Sequence, residues 1–305
     1  KCLNRSRRRI RAIYQNINFI KMYNPEYVLI LSGDHIYKMD YSKMLRAHVE
    51  NGASCTIAAI NVTMQEASRF GILNTREDGT IYEFEEKPKQ PKSTLASMGI
   101  YIFTAQKLYD YLEEDDSNPS SSKDFGKDVL PAMLAAGEKM VAYSFDGYWK
   151  DVGTISSLWE ANMDLLGDDP AFDVSNSDWK IHSRNPLAPP EYVGEDAIIK
   201  NSMIALGCEI EGTVINSLLS SNVIVKKGAF VKDSVIMSGT VIEEDARVTY
   251  AIIDEDVTVS RGAVIGEERT SKKGIAVLGR NIVVEEGAIL PGGNIVDKNV
   301  LKGGK

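Results

Sequence analysis

The sequence predicts an α/β domain followed by a parallel β-helix of hexapeptide repeats. Three observations predict it. Short apolar runs alternate with helical periods over roughly the first half of the chain. A segment with four prolines and no apolar period, Gly167 to Pro190, then interrupts the pattern. Beyond it, aliphatic residues recur every five or six positions. The 305 residues suffice for two domains with separate cores. The expected division is 1–166, a linker over 167–190, and a repeat domain over 191–305.

In the first domain, Ala12 to Met22 reads as a helix with Ile13, Ile17 and Ile20 on one face. The stretch YVLILSGDHIYKMDY, Tyr27 to Tyr41, organises the rest of the domain. Val28 to Leu31 is a continuous apolar run, the mark of a strand buried on both faces. Ser32-Gly33 ends it and Asp34 comes next, where open α/β sheets place their ligand crevices. Asp40, Tyr41 and Ser42 lead into a helix ending near Asn51-Gly52. Ala53 to Val62 is a buried strand, Gln65 to Phe70 a helical turn, and Gly71-Ile72-Leu73 begins another strand. Arg76 to Gly79 is a hairpin turn with Ile81 to Phe84 as the return strand. The loop Glu85 to Lys92 is stiffened by Pro88 and Pro91, and Ala96 to Phe103 is a strand. Helices over 105–112 and 127–136, a strand over 141–145 and a helix over 155–166 complete a mainly parallel, doubly wound sheet.

The repeat domain is the firmer pattern. Val225, Val231, Ile236, Ile242, Val248, Ile253, Val259 and Ile265 are spaced by 6, 5, 6, 6, 5, 6 and 6. Gly228, Gly239, Asp245, Asp256 and Gly262 sit between them as turn formers. Three such units close one coil, and stacked coils line their axis with aliphatic side chains. Ile199, Ile204, Ile210 and Ile215 extend the column at one end, and Ile289 and Ile295 at the other.

Composition excludes several classes. With 43% hydrophobic and 26% charged residues and a net charge of −8, this is a globular chain with no surplus of positive charge for non-specific nucleic-acid binding. No 18-residue apolar run spans a membrane and no signal peptide is visible. Cys2, Cys55 and Cys208 lack metal-ligand spacing and read as reduced thiols of a cytoplasmic protein. The first eleven residues hold six Lys and Arg and no acid; a ragged end is expected there rather than a basic arm for nucleic acid or anionic lipid.

Two carboxylates, Asp34 and Asp151, end predicted strands. A Mg²⁺ ion serving phosphoryl chemistry is held by one or two carboxylates plus substrate phosphates. The simpler reading of Asp34 is a capping residue in a β-α turn. Lys87, between Glu86 and Pro88, is a candidate phosphate-facing cation, with a solvated loop charge as the alternative; Glu86 suits sugar hydroxyls. His35 is read as a turn or helix-entry residue, or as one that orients Asp34. Asp124-Phe125-Gly126 spells a kinase metal motif but lacks its Gly-rich and catalytic loops, so it counts as a false positive. Met98 and the tyrosines read as packing residues. Lys226-Lys227 and Lys272-Lys273 read as solvated surface pairs, with anion contacts as the alternative.

Taken together, SGDHIYKMDY, RFGIL, EFEEKPK, ASMGIYIF, DFGKDVLP and YWKDVGTI, in this order and ahead of hexapeptide repeats, closely resemble the bacterial glucose-1-phosphate adenylyltransferases (ADP-glucose pyrophosphorylases). The resemblance runs from about Ala12 to the end. It implies a Rossmann-like nucleotidyltransferase domain joined to a left-handed β-helix. It further implies formation of ADP-glucose and pyrophosphate from ATP and glucose 1-phosphate with Mg²⁺, for glycogen synthesis, by an allosterically regulated homotetramer. By motif, Asp34 matches the catalytic metal-binding aspartate and Asp151 the second acid near the metal. Lys87 matches the lysine on the sugar phosphate and Glu86 the glucose contact; Gly71 and Ser97 fall at the remaining glucose 1-phosphate positions. The family opens with a glycine-rich nucleotide-binding loop and a Gly-Thr-Ala-Asp run, where this chain has Arg8, Arg9, Ile10 and Arg11. The expectation is a member lacking its amino-terminal nucleotide-binding segment, with activity of the chain alone in question.

Three alternatives stand beside this one. A hexapeptide acyltransferase generally uses a solenoid histidine, and none lies beyond His182. Another sugar nucleotidyltransferase, making a UDP-, dTDP- or GDP-sugar, shares the fold. A non-catalytic regulatory subunit, assembled with a related catalytic one, would be signalled by loss of Asp34 or Lys87, and both are present.

Overall fold

The computed structural model describes residues 12–183 and 186–301. The basic first eleven residues, Cys2 among them, lie outside that range. The described residues form two compact units, one made of those up to 33 together with 38–147, the other of 34–37 together with those from 148 on.

In the first unit the sheet order is β5-β4-β6-β3-β7, with β1 pairing β6. The strands are β1 (Tyr27–Ile30), β3 (Cys55–Asn61), β4 (Gly71–Thr75), β5 (Ile81–Glu86), β6 (Leu95–Thr104) and β7 (Met140–Ser144). The expected mainly parallel sheet is corrected: β3 and β7 run parallel, whereas β1–β6, β3–β6, β4–β5 and β4–β6 are antiparallel. A hairpin such as β4–β5 needs only a tight turn, while parallel neighbours need a crossover. That turn is the predicted one, with Gly79 at φ +80° and the Thr80 N–H donating to Asp78 Oδ1 at 2.9 Å.

The run after Tyr27 is not buried on both faces either. Leu29 is 39% and Leu31 43% exposed, because β1 pairs on one side with β6 among the described residues. The helix Ile17–Met22, preceded by helical residues 12–15 and a turn at Asn16, packs Ile17 and Ile20 on the core, and the helix Tyr41–Glu50 is capped by Asp40, which accepts from Ser42 N–H at 3.0 Å. The core itself is Ile57, Leu73, Phe103, Leu108, Leu112 and Met133. Cys55 sits in it as a free, buried thiol. The helix after β6 runs longer than expected, Ala105–Ser117, and the next begins as a π-turn, Phe125–Val129, before Leu130–Ala135.

The second unit contains a two-stranded ribbon, the helix Ile155–Met163 and the solenoid. In the ribbon, β2 (His35–Tyr37) pairs antiparallel with β8 (Trp149–Asp151). The helix is capped by Thr154, whose hydroxyl and that of Ser157 exchange bonds with each other's backbone N–H. Between this helix and Tyr192 the described residues form neither helix nor strand. Three parallel sheets of six strands then make the solenoid.

The repeats predicted its interior. Val225 stacks on Ile242 and Val259, Val231 on Val248 and Ile265, Ile236 on Ile253 and Leu278. All of these are fully buried around the axis. All five predicted turn formers adopt left-handed backbone, φ between +57° and +77°. Only glycine, and less readily Asn or Asp, enters that region at low cost. One corner instead stacks Asn201, Asn216, Asp233 and Tyr250 at φ +44° to +50°, with Asn201 donating to Asn216 at 2.8 Å and Asn216 to Asp233. Beside it, Ser202, Ser217 and Ser234 hydroxyls accept from the backbone N–H one coil further on.

Towards the ends Ile199, Ile204 and Ile210 face the axis as expected, but three other positions are off by one. The inward residues are Val214, Leu290 and Val296 rather than Ile215, Ile289 and Ile295; Ile289 is 70% and Ile295 67% exposed. A one-residue shift moves a strand side chain to the opposite face. Lys227 and Lys273 pair with Asp196 and Glu267. No helix among the described residues is long and apolar enough to cross a membrane.

Ile253→Ala tests the axial column. Deleting its buried atoms between Ile236 and Leu278 should cost about 2–5 kcal/mol in urea unfolding. A loss under about 0.5 kcal/mol would contradict a packed axis.

Candidate active site

In the second unit, the ribbon sets His35 directly opposite Asp151 and Asp34 one residue before it. The ligand atoms of Asp34, His35 and Asp151 all lie within 4.8 Å of one another. His35 Nε2 is 3.7 Å from Asp34 Oδ1 and 4.0 Å from Asp151 Oδ1. Backbone holds both acids in place: Val152 N–H donates to Asp34 O at 3.0 Å, and Gly153 N–H donates to Asp151 Oδ1 at 2.9 Å. The His35 side chain is 7% exposed and meets Trp149 edge-on at 5.2 Å. The two carboxylates, about a third exposed, supply hard oxygen donors, the chemistry a divalent cation requires. They fit such an ion. His35 is thus no turn residue; it opens a strand and faces Asp151.

Next to this cluster, Lys150 binds Asp164 at 2.7 Å and Glu160 at 3.3 Å, and Tyr148 donates to Asp164 at 2.8 Å. These contacts tie β8 to the helix after it. Burial, then the Asp164 carboxylate it bonds, holds the Tyr148 phenol well above its ordinary range.

The other sequence-predicted residues lie in the first unit. Gly71 and Glu86 are cross-strand partners on β4 and β5, and Lys87 comes directly after Glu86. Lys87 takes left-handed backbone, φ +51°, while its N–H donates to Phe70 O at 3.1 Å. Outside glycine such a conformation is uncommon and clusters at functional sites. Its side chain is 64% exposed, with the ammonium 3.8 Å from Glu86 Oε1. Ser97 lies on β6, beyond β4, where β6 carries extra residues against β3 and Gly99 turns at φ +69°. Its hydroxyl accepts from the Gly99 N–H at 3.2 Å. Such bulges re-aim a side chain.

Two residues here were missed as site residues. A Cβ on Gly126 would meet Glu86 Oε2 at 2.5 Å and Phe84 at 3.0 Å; a Cβ on Gly71 would meet the Phe84 ring at 2.4 Å. Two glycines thus make room for Phe84 and Glu86. Asp124 is buried and caps the π-turn, accepting from Gly126 N–H at 2.9 Å. The motif dismissed as a kinase look-alike supplies the wall around Glu86. Burial pushes the Glu86 carboxyl above its ordinary range, and Asp124 pushes the same way against the opposing pull of Lys87 and Lys127.

Comparison with known proteins gives the same outline. Residues 5–167 match the family described as nucleotidyl transferase, and residues 190–284 match the GlmU-like C-terminal hexapeptide family. The glucose-1-phosphate adenylyltransferase of Clostridium perfringens (strain SM101 / Type A) is 56% identical over 284 residues, 92% of this chain and 73% of that protein. The enzyme of the same name from Bacillus cereus (strain Q1) is 54% identical over 258 residues, 85% of this chain and 69% of that protein.

Burial raises the pKa of the Glu86 carboxyl. The folded state holds that proton more tightly than the unfolded chain, so stability is lost as pH rises above the ordinary glutamate range. Glu86→Gln should therefore melt higher than the parent near pH 7.5, with the gain shrinking towards about pH 4. A melting difference independent of pH would contradict the burial.

Proposed function

This chain belongs to the glucose-1-phosphate adenylyltransferase family of nucleotidyltransferases, and from that premise we propose how its residues serve the reaction. The substrates are ATP and glucose 1-phosphate, and the products are ADP-glucose, for glycogen synthesis, and pyrophosphate. The observation that carries the reading is the convergence of Asp34, His35 and Asp151 in a chain of this family.

Asp34 and Asp151 hold a divalent cation, Mg²⁺ in the first instance. When bound, that ion neutralises phosphate charge. Lys87 pairs with the phosphate of glucose 1-phosphate; its exposed ammonium and set backbone support this role. Glu86 accepts from sugar hydroxyls, and Gly71 and Ser97 complete the sugar-phosphate contacts. A phosphate oxygen of glucose 1-phosphate attacks the α-phosphorus of ATP. The new P–O bond forms as the bond to the β-phosphate bridging oxygen breaks, and pyrophosphate leaves in line. The attacking oxygen is already ionised, so no base is needed, and positioning and charge neutralisation carry the catalysis.

The assembly we propose is a homotetramer, or a complex with a related subunit, regulated by a small-molecule effector and resident in the cytoplasm. The β-helix over 191–305 serves as its scaffold, joined through 167–190 to a catalytic part over 1–166. Stacked coils offer flat faces for such contacts.

The test is steady-state pyrophosphate release by the complete product of the gene. Asp34→Asn should lower kcat at least about 10³-fold. Lys87→Gln should raise the KM for glucose 1-phosphate about tenfold or more while leaving the KM for ATP within about twofold. Full activity in Asp34→Asn, or a Lys87→Gln effect confined to ATP, would overturn these roles.

A further inference from the structure

The geometry points to a third protein donor at the cation site: we infer that His35 ligates the divalent ion through Nε2. The inference rests on the reading that Asp34 and Asp151 hold that ion. It adds a nitrogen to two oxygens and thereby changes which ion the site prefers.

Protein donors sit about 2.0–2.2 Å from a small divalent ion, so donors sharing one ion lie roughly 3–4 Å apart. His35 Nε2 meets this with both acids, at 3.7 Å from Asp34 Oδ1 and 4.0 Å from Asp151 Oδ1. Those separations are too long for a hydrogen bond to either carboxylate. They suit three groups facing one centre. The ring also has little freedom to turn away. Its side chain is 7% exposed, its backbone is in register with Asp151, and Trp149 stands edge-on to it with planes at 84°. Two neighbours on one ribbon therefore aim the imidazole where the carboxylates already point.

Imidazole is a good ligand for first-row transition ions, whereas Mg²⁺ is served by oxygen and gives up its waters reluctantly. A site with two carboxylates alone binds Mg²⁺ and Mn²⁺ through the same donors. The same site with His35 as a ligand favours Mn²⁺, and removal of the imidazole affects Mn²⁺ far more than Mg²⁺.

The experiment is Mn²⁺ binding to the full chain, monitored by electron paramagnetic resonance, with Mg²⁺ affinity measured by competition. Pulsed measurement on the bound Mn²⁺ should show a directly coordinated ¹⁴N, replaced by the ¹⁵N pattern when histidine is labelled. His35→Ala should abolish that coupling and weaken Mn²⁺ about tenfold, with Mg²⁺ changed about twofold or less. Asp34→Asn should weaken both ions. Bound Mn²⁺ that is lost in Asp34→Asn but shows no nitrogen coupling in the parent chain would overturn the role of His35 and leave the carboxylate reading standing. Mn²⁺ binding indifferent to Asp34→Asn would bring down the carboxylate reading itself, and this inference with it. Because the decisive spectrum is that of the parent chain, a poorly folded His35→Ala would not rescue the idea.

Discussion

Two carboxylates brought within a few ångströms repel each other until a cation lies between them. The fold opposes that repulsion with backbone. A ribbon of three residue pairs, His35–Tyr37 against Trp149–Asp151, joins segments far apart in sequence and fixes both acids relative to one imidazole. The bond from Val152 N–H to Asp34 O extends the ladder, and Gly153 N–H fastens Asp151. Thr154 then starts the helix Ile155–Met163 at once, so little slack separates the ribbon from the next rigid element.

That helix is in turn fastened to the solenoid. Trp159 is buried among Val235, Ile252 and Ile275, and its indole N–H donates to Asp233 O at 2.8 Å. Tyr250 meets the ring edge-on at 5.0 Å, and the Arg269 guanidinium lies 4.8 Å from its centre. Asp233 and Tyr250 are corner residues held in left-handed backbone by the coil stack. The repeat region, which carries none of the proposed chemistry, thus gives the segment bearing Asp151 an unyielding support. A regular stack suits this task because each coil is held by backbone bonds to the next and by an apolar axis.

How much the sequence made legible depends on the range of the forces involved. The hexapeptide spacing is a local period repeated many times, so Val225 to Ile265 fell in register, while the atypical end coils slipped by one at Ile215, Ile289 and Ile295. Caps and turns at Asp40 and Gly79 are local too. The sheet was harder. An apolar run such as Val28–Leu31 looks alike in a parallel centre and at an antiparallel edge, and strand partners are set by distant residues. At the site, Asp34, Asp151, Glu86 and Lys87 stood out by residue type and motif. His35 was read only as a turn or helix-entry residue, or as one orienting Asp34, since its meaning depends on which residue lies across the ribbon. Gly126 and Asp124 were visible within DFGKDVLP and as a kinase look-alike, but neither reading gave them a role; the room Gly126 leaves for Glu86 and the charge of Asp124 near it do.

The central claim is adenylyl transfer to glucose 1-phosphate, and the identity of the product tests it most directly. The complete gene product, given equal ATP, UTP, dTTP and GTP with glucose 1-phosphate and Mg²⁺, should yield ADP-glucose, identified by mass spectrometry, and pyrophosphate in equal amount. A different nucleotide sugar as the main product, or none, would contradict the account.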